Sequence, residues 1–314
     1  MAGVTGEDFA LDLAIAALSR TATTMIDTLF VLRHGEHPPR RSVRGLIARR
    51  VNATTTPRDP ALTAFGEVGG LYKITLYMLT GTQTQAKECA EYFMSLPAEE
   101  RPTVIFSSPY YRCIQTSKPI AQALGIPVFL EHGITEWYSP VTPGSGLHPR
   151  PPPAAGMHQY FPDLLDESWS SVWYPSRRGE DVEQIHARTA GFLEAFIPEV
   201  ERQMPHTHAR PLLVSHAATV IVLTRELLAD RELPLRIGCC TLTELKRKPG
   251  AAILGGWTPK LLASGDHLKD GIQRDWGFED IIVSKDGQVI DDVGVGGPDE
   301  DEGPVGCQIQ RSSL

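Results

Sequence analysis

Hydrophobic and polar positions alternate between two periods along the chain from Thr28 onward. Apolar runs of three to five residues predict buried strands at Thr28–Leu32, Val104–Phe106, Val128–Leu130, Leu212–Val214 and Thr241–Leu245. Apolar positions three and four apart predict helices at Gln85–Leu96, from the Ser107 region to Leu124, at Asp181–Gln203 and at Ala217–Leu228. This β-α-β-α alternation predicts the α/β class, as a three-layer α/β/α sandwich with a mainly parallel central sheet.

Local signals refine the boundaries. Ser107-Ser108-Pro109 is typical of a helix cap followed by a proline in the first turn, and Gly125 suits the end of that helix. Glu131–Arg178 is rich in Pro, Gly, His and aromatic residues without a sustained period, so we expect this segment to wall the site. The stretch from Gly255 to Phe278 is predicted to be rich in loops.

Changes of composition divide the chain. We predict an N-terminal extension over 1–24, a short helix or a loose segment, followed by the main domain over 25–250. A C-terminal extension over 251–290 is expected to pack on or next to that domain. Because Asp291–Glu302 is acidic and Gly-rich, disorder is expected over 291–314.

Composition and charge limit the function classes. With 314 residues, 41% of them hydrophobic, the chain can bury a full core as an ordinary soluble protein. A net charge of -8 argues against direct nucleic-acid binding, which needs a basic face. No apolar stretch is long enough to span a membrane. The five cysteines show no metal-ligand spacing and no disulfide framework, so free thiols and a reducing compartment, nucleus or cytoplasm, are expected.

Chemistry-bearing residues stand at the ends of two predicted strands. Arg33 and His34 follow the first strand, and His216 follows the fourth. Because the carboxyl ends of parallel strands meet at one sheet edge, these side chains are expected to converge there. Arg112 and Glu136 complete a candidate set. Several fixed cationic donors suit the three charged oxygens of a phosphoryl group.

Four segments in a fixed order carry a family resemblance. Leu-Arg-His-Gly-Glu at 32–36 resembles the strand-end RHG motif of the histidine phosphatase, or phosphoglycerate mutase-like, superfamily. Leu62–Gly66 followed by Gln85 is similar to its LTxxGxxQA segment, Ser107–Thr116 to its SSPxxRxxQT helix, and Ser215–Ala217 to its second histidine position. The resemblance implies the three-layer fold over Thr28 to Leu228 and a phosphohistidine hydrolase.

The resemblance also implies residue roles. His34, Glu136 and His216 would be catalytic, with His34 as the nucleophile and Glu136 as the proton donor and later the base. Arg33, Arg112 and Ala217 would bind phosphate, with no metal and no cofactor. Apart from the resemblance, Arg112 could lie on a helix surface and His216 could be an ordinary residue of a helix start. Six of the other histidines are expected on the surface or in loops: His37, His132, His148, His158, His206 and His208.

Blocks around the site narrow the resemblance to one branch. Gly133–Tyr138, Asp166–Trp169 and Arg274–Phe278 are similar to the fungal phosphatase-like tau subunit of transcription factor IIIC, which recruits RNA polymerase III machinery to tRNA promoters. That branch implies other subunits of this factor as partners, and a nuclear location. The alternatives are a stand-alone phosphatase without a transcription role and a catalytically weak scaffold subunit. The phosphorylated substrate is not encoded in any recognisable pattern.

The chain departs from the family pattern at Val68–Gln83. These 16 residues separate Gly66-Glu67 from Thr84-Gln85-Ala86, which would otherwise join into a family sequence. One hypothesis is a retained intron. The alternative is a surface loop with a strand-like Tyr72–Leu79, because loop closure costs rise slowly with length. Either way, poor packing is expected.

Overall fold

The computed structural model describes residues 26–36, 72–204, 210–281, 289 and 301–309, with main chain alone for 72–83. The predicted extension at 1–24, the Leu62–Gly66 motif, and His37, His206 and His208 lie outside the described residues. None of the described helices is long and apolar enough to cross a bilayer. All five cysteines are free thiols, as predicted.

One sheet of six strands forms the middle layer. Its strands, in chain order, are β1 (Thr28–Arg33), β2 (Val104–Ser107), β3 (Val128–Leu130), β5 (Pro211–Ser215), β6 (Leu242–Arg247) and β7 (Trp257–Ser264). They lie in the order β3-β2-β5-β1-β6-β7; the first four are parallel, and β6 and β7 are antiparallel to their neighbours. Two short strands, β4 (Trp173–Tyr174) and β8 (Gly306–Cys307), pair separately. The predicted α/β class with a mainly parallel sheet is confirmed.

Helices cover both faces of this sheet. They are α1 (Tyr72–Ser95), α2 (Tyr111–Leu124), α3 (Ala154–Met157), α4 (Val182–Gln203) and α5 (Ala217–Leu228). Side chains alternate across a strand, so Leu29 and Val31 join the core under α4 and α5. Phe30 and Leu32 join the core under α1 and α2. Burial on both faces explains why the strands are continuous apolar runs.

Helix ends follow local chemistry at some points and strand geometry at others. Gly125 ends α2 in the left-handed conformation (φ 66°), and Asp181 with Gln184 forms a capping box at the start of α4. The predicted start of α2 at Ser107-Ser108-Pro109 is wrong. Because Ser107 still belongs to β2, the chain must turn through Pro109 before α2 begins at Tyr111.

Three further expectations are corrected. The strand-like alternative for Tyr72–Leu79 is wrong, because α1 extends from the amphipathic segment through these residues. Strand β7 falls in a stretch predicted as loop. It is an edge strand with one largely exposed face, and Pro259 and Lys260, which are typical of edges, hide its pattern. Residues 301–309 pack against the domain through β8, so disorder does not extend over them.

Candidate active site

The parallel pairing of β1 and β5 places two histidines side by side. Arg33 is in register with Ser215, and the main-chain N–H of His34 donates to the Ser215 carbonyl at 2.9 Å. The strands end together, so the rings of His34 and His216 lie 5.2 Å apart between centroids. Both side chains are almost fully buried. The predicted convergence at one sheet edge is present in the structure.

Arg112, from the first turn of α2, connects the histidines to Glu136. Its Nε lies 3.3 Å from His34 Nε2, and its Nη2 lies 2.9 Å from both His216 Nδ1 and Glu136 Oε2. The guanidinium is 2% exposed and lies over the Tyr110 ring, 4.6 Å from its centroid. We call His34, Arg112, Glu136 and His216 the phosphoryl site.

Hydrogen bonds select the tautomer of His34. Its Nδ1 lies 2.7 Å from the Gly35 carbonyl, which can only accept, so Nδ1 carries the proton. Its Nε2 then holds a lone pair, consistent with the Arg112 Nε–H directed at it. A neutral imidazole with an unprotonated Nε2 is the form that can attack phosphorus.

His216 is a neutral ring held from both sides. Burial lowers the pKa of His216 to about 4, against the opposing effect of Glu136. Its Nδ1 faces the Arg112 Nη2 donor, so Nε2 carries the proton and donates to Ser108 Oγ at 2.8 Å. Near neutral pH the ring orients Arg112 and is uncharged.

Glu136 lies in the loop after β3, at the border between the phosphoryl site and an adjoining pocket. Its side chain is 18% exposed, and Oε2 lies 3.4 Å from His216 Nδ1. Two hydroxyls fix the main chain before it: Ser215 Oγ donates to the Ile134 carbonyl, and Thr219 Oγ1 donates to the Thr135 carbonyl. The carboxylate is therefore held in place and partly open to solvent.

Arg33 and Ala217 occupy different positions around this centre. Arg33 Nη1 donates to the carbonyls of Ile237 and Arg274, both at 2.6 Å, while its buried Nε has no hydrogen-bond partner. Arg33 was predicted to bind phosphate, but its Nη1 is bound instead to carbonyls of the chain after β5. Ala217 is the first residue of α5, where main-chain N–H groups have no partner within the helix. Such a helix start favours an anion.

Two residues outside the predicted set position the loop after β1. Thr116 Oγ1 accepts from the Gly35 N–H at 3.0 Å and donates to the Arg112 carbonyl. Gln85 Oε1 accepts from the Glu36 N–H at 3.2 Å. Both belong to the family-like segments, Thr116 to Ser107–Thr116 and Gln85 to the one that follows Leu62–Gly66, so the motif pattern contained the signal, although their spacing alone assigned them no role.

The pocket beside Glu136 is walled mainly by residues of Glu131–Arg178, as predicted. We call it the arginine pocket, and it is lined by Tyr110, His132, Thr135, Glu136, Tyr138, His148, Pro149, Arg150, Pro151, Pro175, Ser176, Arg177 and Glu180. His148 lies in a loop, as expected, whereas His132 begins a short helical turn, and both side chains are buried rather than at the surface. His132 is held by Ser171 and Pro151, and His148 by the Ser139 carbonyl.

Family comparison agrees with this fold. A model of the histidine phosphatase superfamily (branch 1) matches residues 80–258, more than half of the chain. The chain belongs to the histidine phosphatase superfamily.

Two individual proteins are similar to this chain in sequence or in fold. The transcription factor tau 55 kDa subunit of Saccharomyces cerevisiae (strain ATCC 204508 / S288c) is 40% identical over 147 residues, which cover 46% of this chain and 32% of the relative. The chain therefore matches about a third of that protein's length. The crystal structure of the ecdysone phosphate phosphatase from Bombix mori, in complex with tungstate, is similar in fold. It has a TM-score of 0.51 at 17% identity and covers 80% of this chain and 96% of that one.

Proposed function

We propose that this protein hydrolyses phosphomonoesters through a phosphohistidine formed on His34. The observation that carries the proposal is the Arg112 guanidinium, which contacts His34 Nε2, His216 and Glu136 at once in a buried position. A cation fixed beside a nucleophilic lone pair stabilises charge that accumulates on transferring phosphoryl oxygens. A purely structural arginine has no need to face an unprotonated imidazole nitrogen.

The first step transfers the phosphoryl group to the enzyme. His34 Nε2 attacks phosphorus in line as the P–O bond to the leaving group breaks, and Glu136 in its protonated form donates a proton to the departing oxygen. The hydrogen bond from Nδ1 to the Gly35 carbonyl stabilises the positive charge that the ring acquires. Arg112, the Arg33 Nε–H and the Ala217 N–H supply donors to the phosphoryl oxygens.

The second step releases phosphate. Glu136, now a carboxylate, accepts a proton from a water molecule as that water attacks phosphorus, and the N–P bond to His34 breaks. Inorganic phosphate leaves, and both residues return to their starting protonation states. The partial exposure of Glu136 allows water to reach it.

The test compares hydrolysis of p-nitrophenyl phosphate by the full chain and by His34→Ala. We expect the variant to lose at least about a thousandfold in kcat, because the covalent route is removed. The control is His158→Ala, whose ring is exposed and pairs with Glu167 on the surface, and which should retain activity. Equal turnover by wild type and His34→Ala would exclude the proposed mechanism.

We also propose that the protein is a subunit of transcription factor IIIC and acts in the nucleus. The 40% identity to a yeast transcription factor tau subunit favours this role. It is compatible with catalysis, because the phosphoryl site uses buried groups and leaves the outer faces available to other subunits. Affinity purification from the native organism should recover polymerase III factor subunits; their absence would leave a stand-alone phosphatase.

A further inference from the structure

The C-terminal segment 301–309 pairs with β4 and contacts three residues that line the arginine pocket, Arg150, Ser176 and Arg177. Its strand β8 pairs antiparallel with β4, with Gly306 opposite Tyr174 and Cys307 opposite Trp173. The Gln308 N–H also donates to the Val172 carbonyl at 2.8 Å. Main-chain pairing of this kind is how an exposed strand edge accepts an extended peptide.

The segment contacts Ser176, Arg177 and Arg178 through the side-chain carboxylate of Glu302. Its Oε1 accepts from Ser176 Oγ at 2.5 Å and from the Arg177 N–H at 2.6 Å, and its Oε2 lies 3.5 Å from Arg178 Nε. The side chain is 21% exposed. Although burial opposes ionisation, hydrogen bonds from Ser176 and Arg177 hold the pKa of Glu302 below its ordinary value. The contacts recognise an ionised carboxylate.

Two arginine side chains, Arg150 and Arg177, contact the main chain of the segment. Arg150 Nη1 donates to the Glu302 carbonyl at 2.9 Å, while its Nη2 donates to the Pro175 carbonyl at 2.8 Å. Its guanidinium lies over the Tyr174 ring, 5.2 Å from the centroid. Arg177 Nη1 lies 3.4 Å from the Asp301 carbonyl. Both arginines line the same pocket as Glu136.

We propose that Arg150, Ser176, Arg177 and Arg178 form a subsite for an acidic peptide, and that the substrate is an acidic phosphopeptide whose carboxylate replaces that of Glu302. This inference rests on the proposed function. Arg150, Ser176 and Arg177 line the arginine pocket together with Glu136, the proposed proton donor to the leaving oxygen, so a peptide bound to them would extend from the leaving group across this pocket. In the structure this subsite is occupied by segment 301–309, which is held by its main chain and one carboxylate. This favours a peptide over a small metabolite as the substrate.

The tethered segment competes with such a substrate. A segment of the same chain acts at an effective concentration on the order of millimolar, so it raises the apparent Kd of any ligand for the same subsite. Loss of the Glu302 carboxylate should weaken the competitor without changing the arginines. Removing this carboxylate therefore isolates the effect of the segment on the apparent Kd of the ligand.

The experiment uses full-length protein in the His34→Ala background, so that binding is measured without turnover. The probes are two fluorescein-labelled phosphoserine peptides, identical except that glutamates in one are glutamines in the other, with affinity read by fluorescence anisotropy. Glu302→Gln should lower the Kd of the acidic peptide by about tenfold, and its effect on the glutamine peptide should be smaller. Asp301→Asn is the matched control, because the Asp301 carboxylate accepts from the Gly303 N–H within its own turn. This change should leave the Kd unaltered.

A second variant tests the cation directly. Arg178, whose side chain is 58% exposed, is changed to Gln in the Glu302→Gln protein, and the preference for the acidic peptide should fall by about tenfold. Equal affinity for the two peptides in Glu302→Gln, or a preference that survives Arg178→Gln, would overturn the subsite. Hydrolysis of p-nitrophenyl phosphate by the otherwise wild-type chain separates the two proposals. If the chain hydrolyses p-nitrophenyl phosphate but shows no preference for the acidic peptide, only the subsite proposal fails. If it prefers the acidic peptide but does not hydrolyse p-nitrophenyl phosphate, the proposed catalysis fails.

Discussion

The phosphoryl site and the arginine pocket share Glu136 but are built in different ways. The phosphoryl site stands on the ends of β1 and β5 and on the first turn of α2, and its two histidines and Arg112 are almost fully buried. The arginine pocket is formed mainly by irregular segments between β3 and α4, and two of its lining residues, Ser176 and Arg177, hold Glu302 from the far end of the chain. Strands and a helix therefore fix the phosphoryl site, whereas contacts between loops fix the arginine pocket.

This difference indicates which part of the site performs chemistry and which part selects the ligand. Groups on rigid strand ends can hold the geometry that phosphoryl transfer needs, because the sheet leaves them little freedom. Loops on a rigid scaffold vary more easily and are the usual place for ligand selection. Changes in the phosphoryl site should therefore lower kcat, and changes in the pocket should alter affinity or stability.

After His34→Ala, replacement of Arg112 by Lys should have the largest effect on catalysis. An ammonium is a point charge and cannot reach His34, His216 and Glu136 from one position, so kcat/KM for p-nitrophenyl phosphate should fall by about a hundredfold or more. Steady-state kinetics measure the loss. Arg202→Lys, on the exposed face of α4 beside Glu199, is the control and should behave as wild type. A loss of less than about threefold for Arg112→Lys would contradict the role given to the guanidinium.

His132 in the arginine pocket should make stability depend on pH. Burial lowers the pKa of His132 from 6.5 to about 4, so between these values the unfolded chain binds a proton that the folded chain does not. The stability that neutral His132 contributes is complete above the unfolded pKa and is lost as the pH falls to about 4. This amounts to about 3 kcal/mol.

Denaturant unfolding at pH 7 and pH 4 can test this expectation. The stability of wild type relative to His132→Gln should be about 3 kcal/mol smaller at pH 4 than at pH 7, since glutamine does not titrate. Other ionisable groups are common to both proteins and cancel in the difference. A difference that does not change with pH would show that the ring is not held neutral in the fold.

Thr116→Val should have the smallest effect. Valine keeps the shape but removes the acceptor for the Gly35 N–H, so the loop that carries His34 loses one hydrogen bond, worth about 1 kcal/mol. A decrease of about fivefold in kcat is expected, with KM little changed and with recovery in Thr116→Ser. Thr224→Val is the control, because the Thr224 hydroxyl donates to the Val220 carbonyl in its own helix. Equal kcat values for Thr116→Val and wild type would show that Gly35 is positioned without this bond.

Much of the fold could be predicted because its signals are local. The strand before His34 is a continuous apolar run, and α5 begins and ends where its pattern predicts, at Ala217 and Leu228. Strand β7 was missed because an edge strand needs few apolar residues. The helical course of Tyr72–Leu79 was missed because short apolar stretches do not distinguish strand from helix.

The sequence by itself determined the strand-helix order and the identity of the chemical groups, because each depends on neighbouring residues and on motif spacing. Tertiary structure alone decided that Arg112 Nη2 lies 2.9 Å from His216 Nδ1, and that Arg33 Nη1 is bound by the Ile237 and Arg274 carbonyls. It also decided that the Glu302 carboxylate accepts a hydrogen bond from the N–H of Arg177, 125 residues away along the chain. Contacts between distant segments depend on how whole layers pack, and local pattern carries no record of that packing.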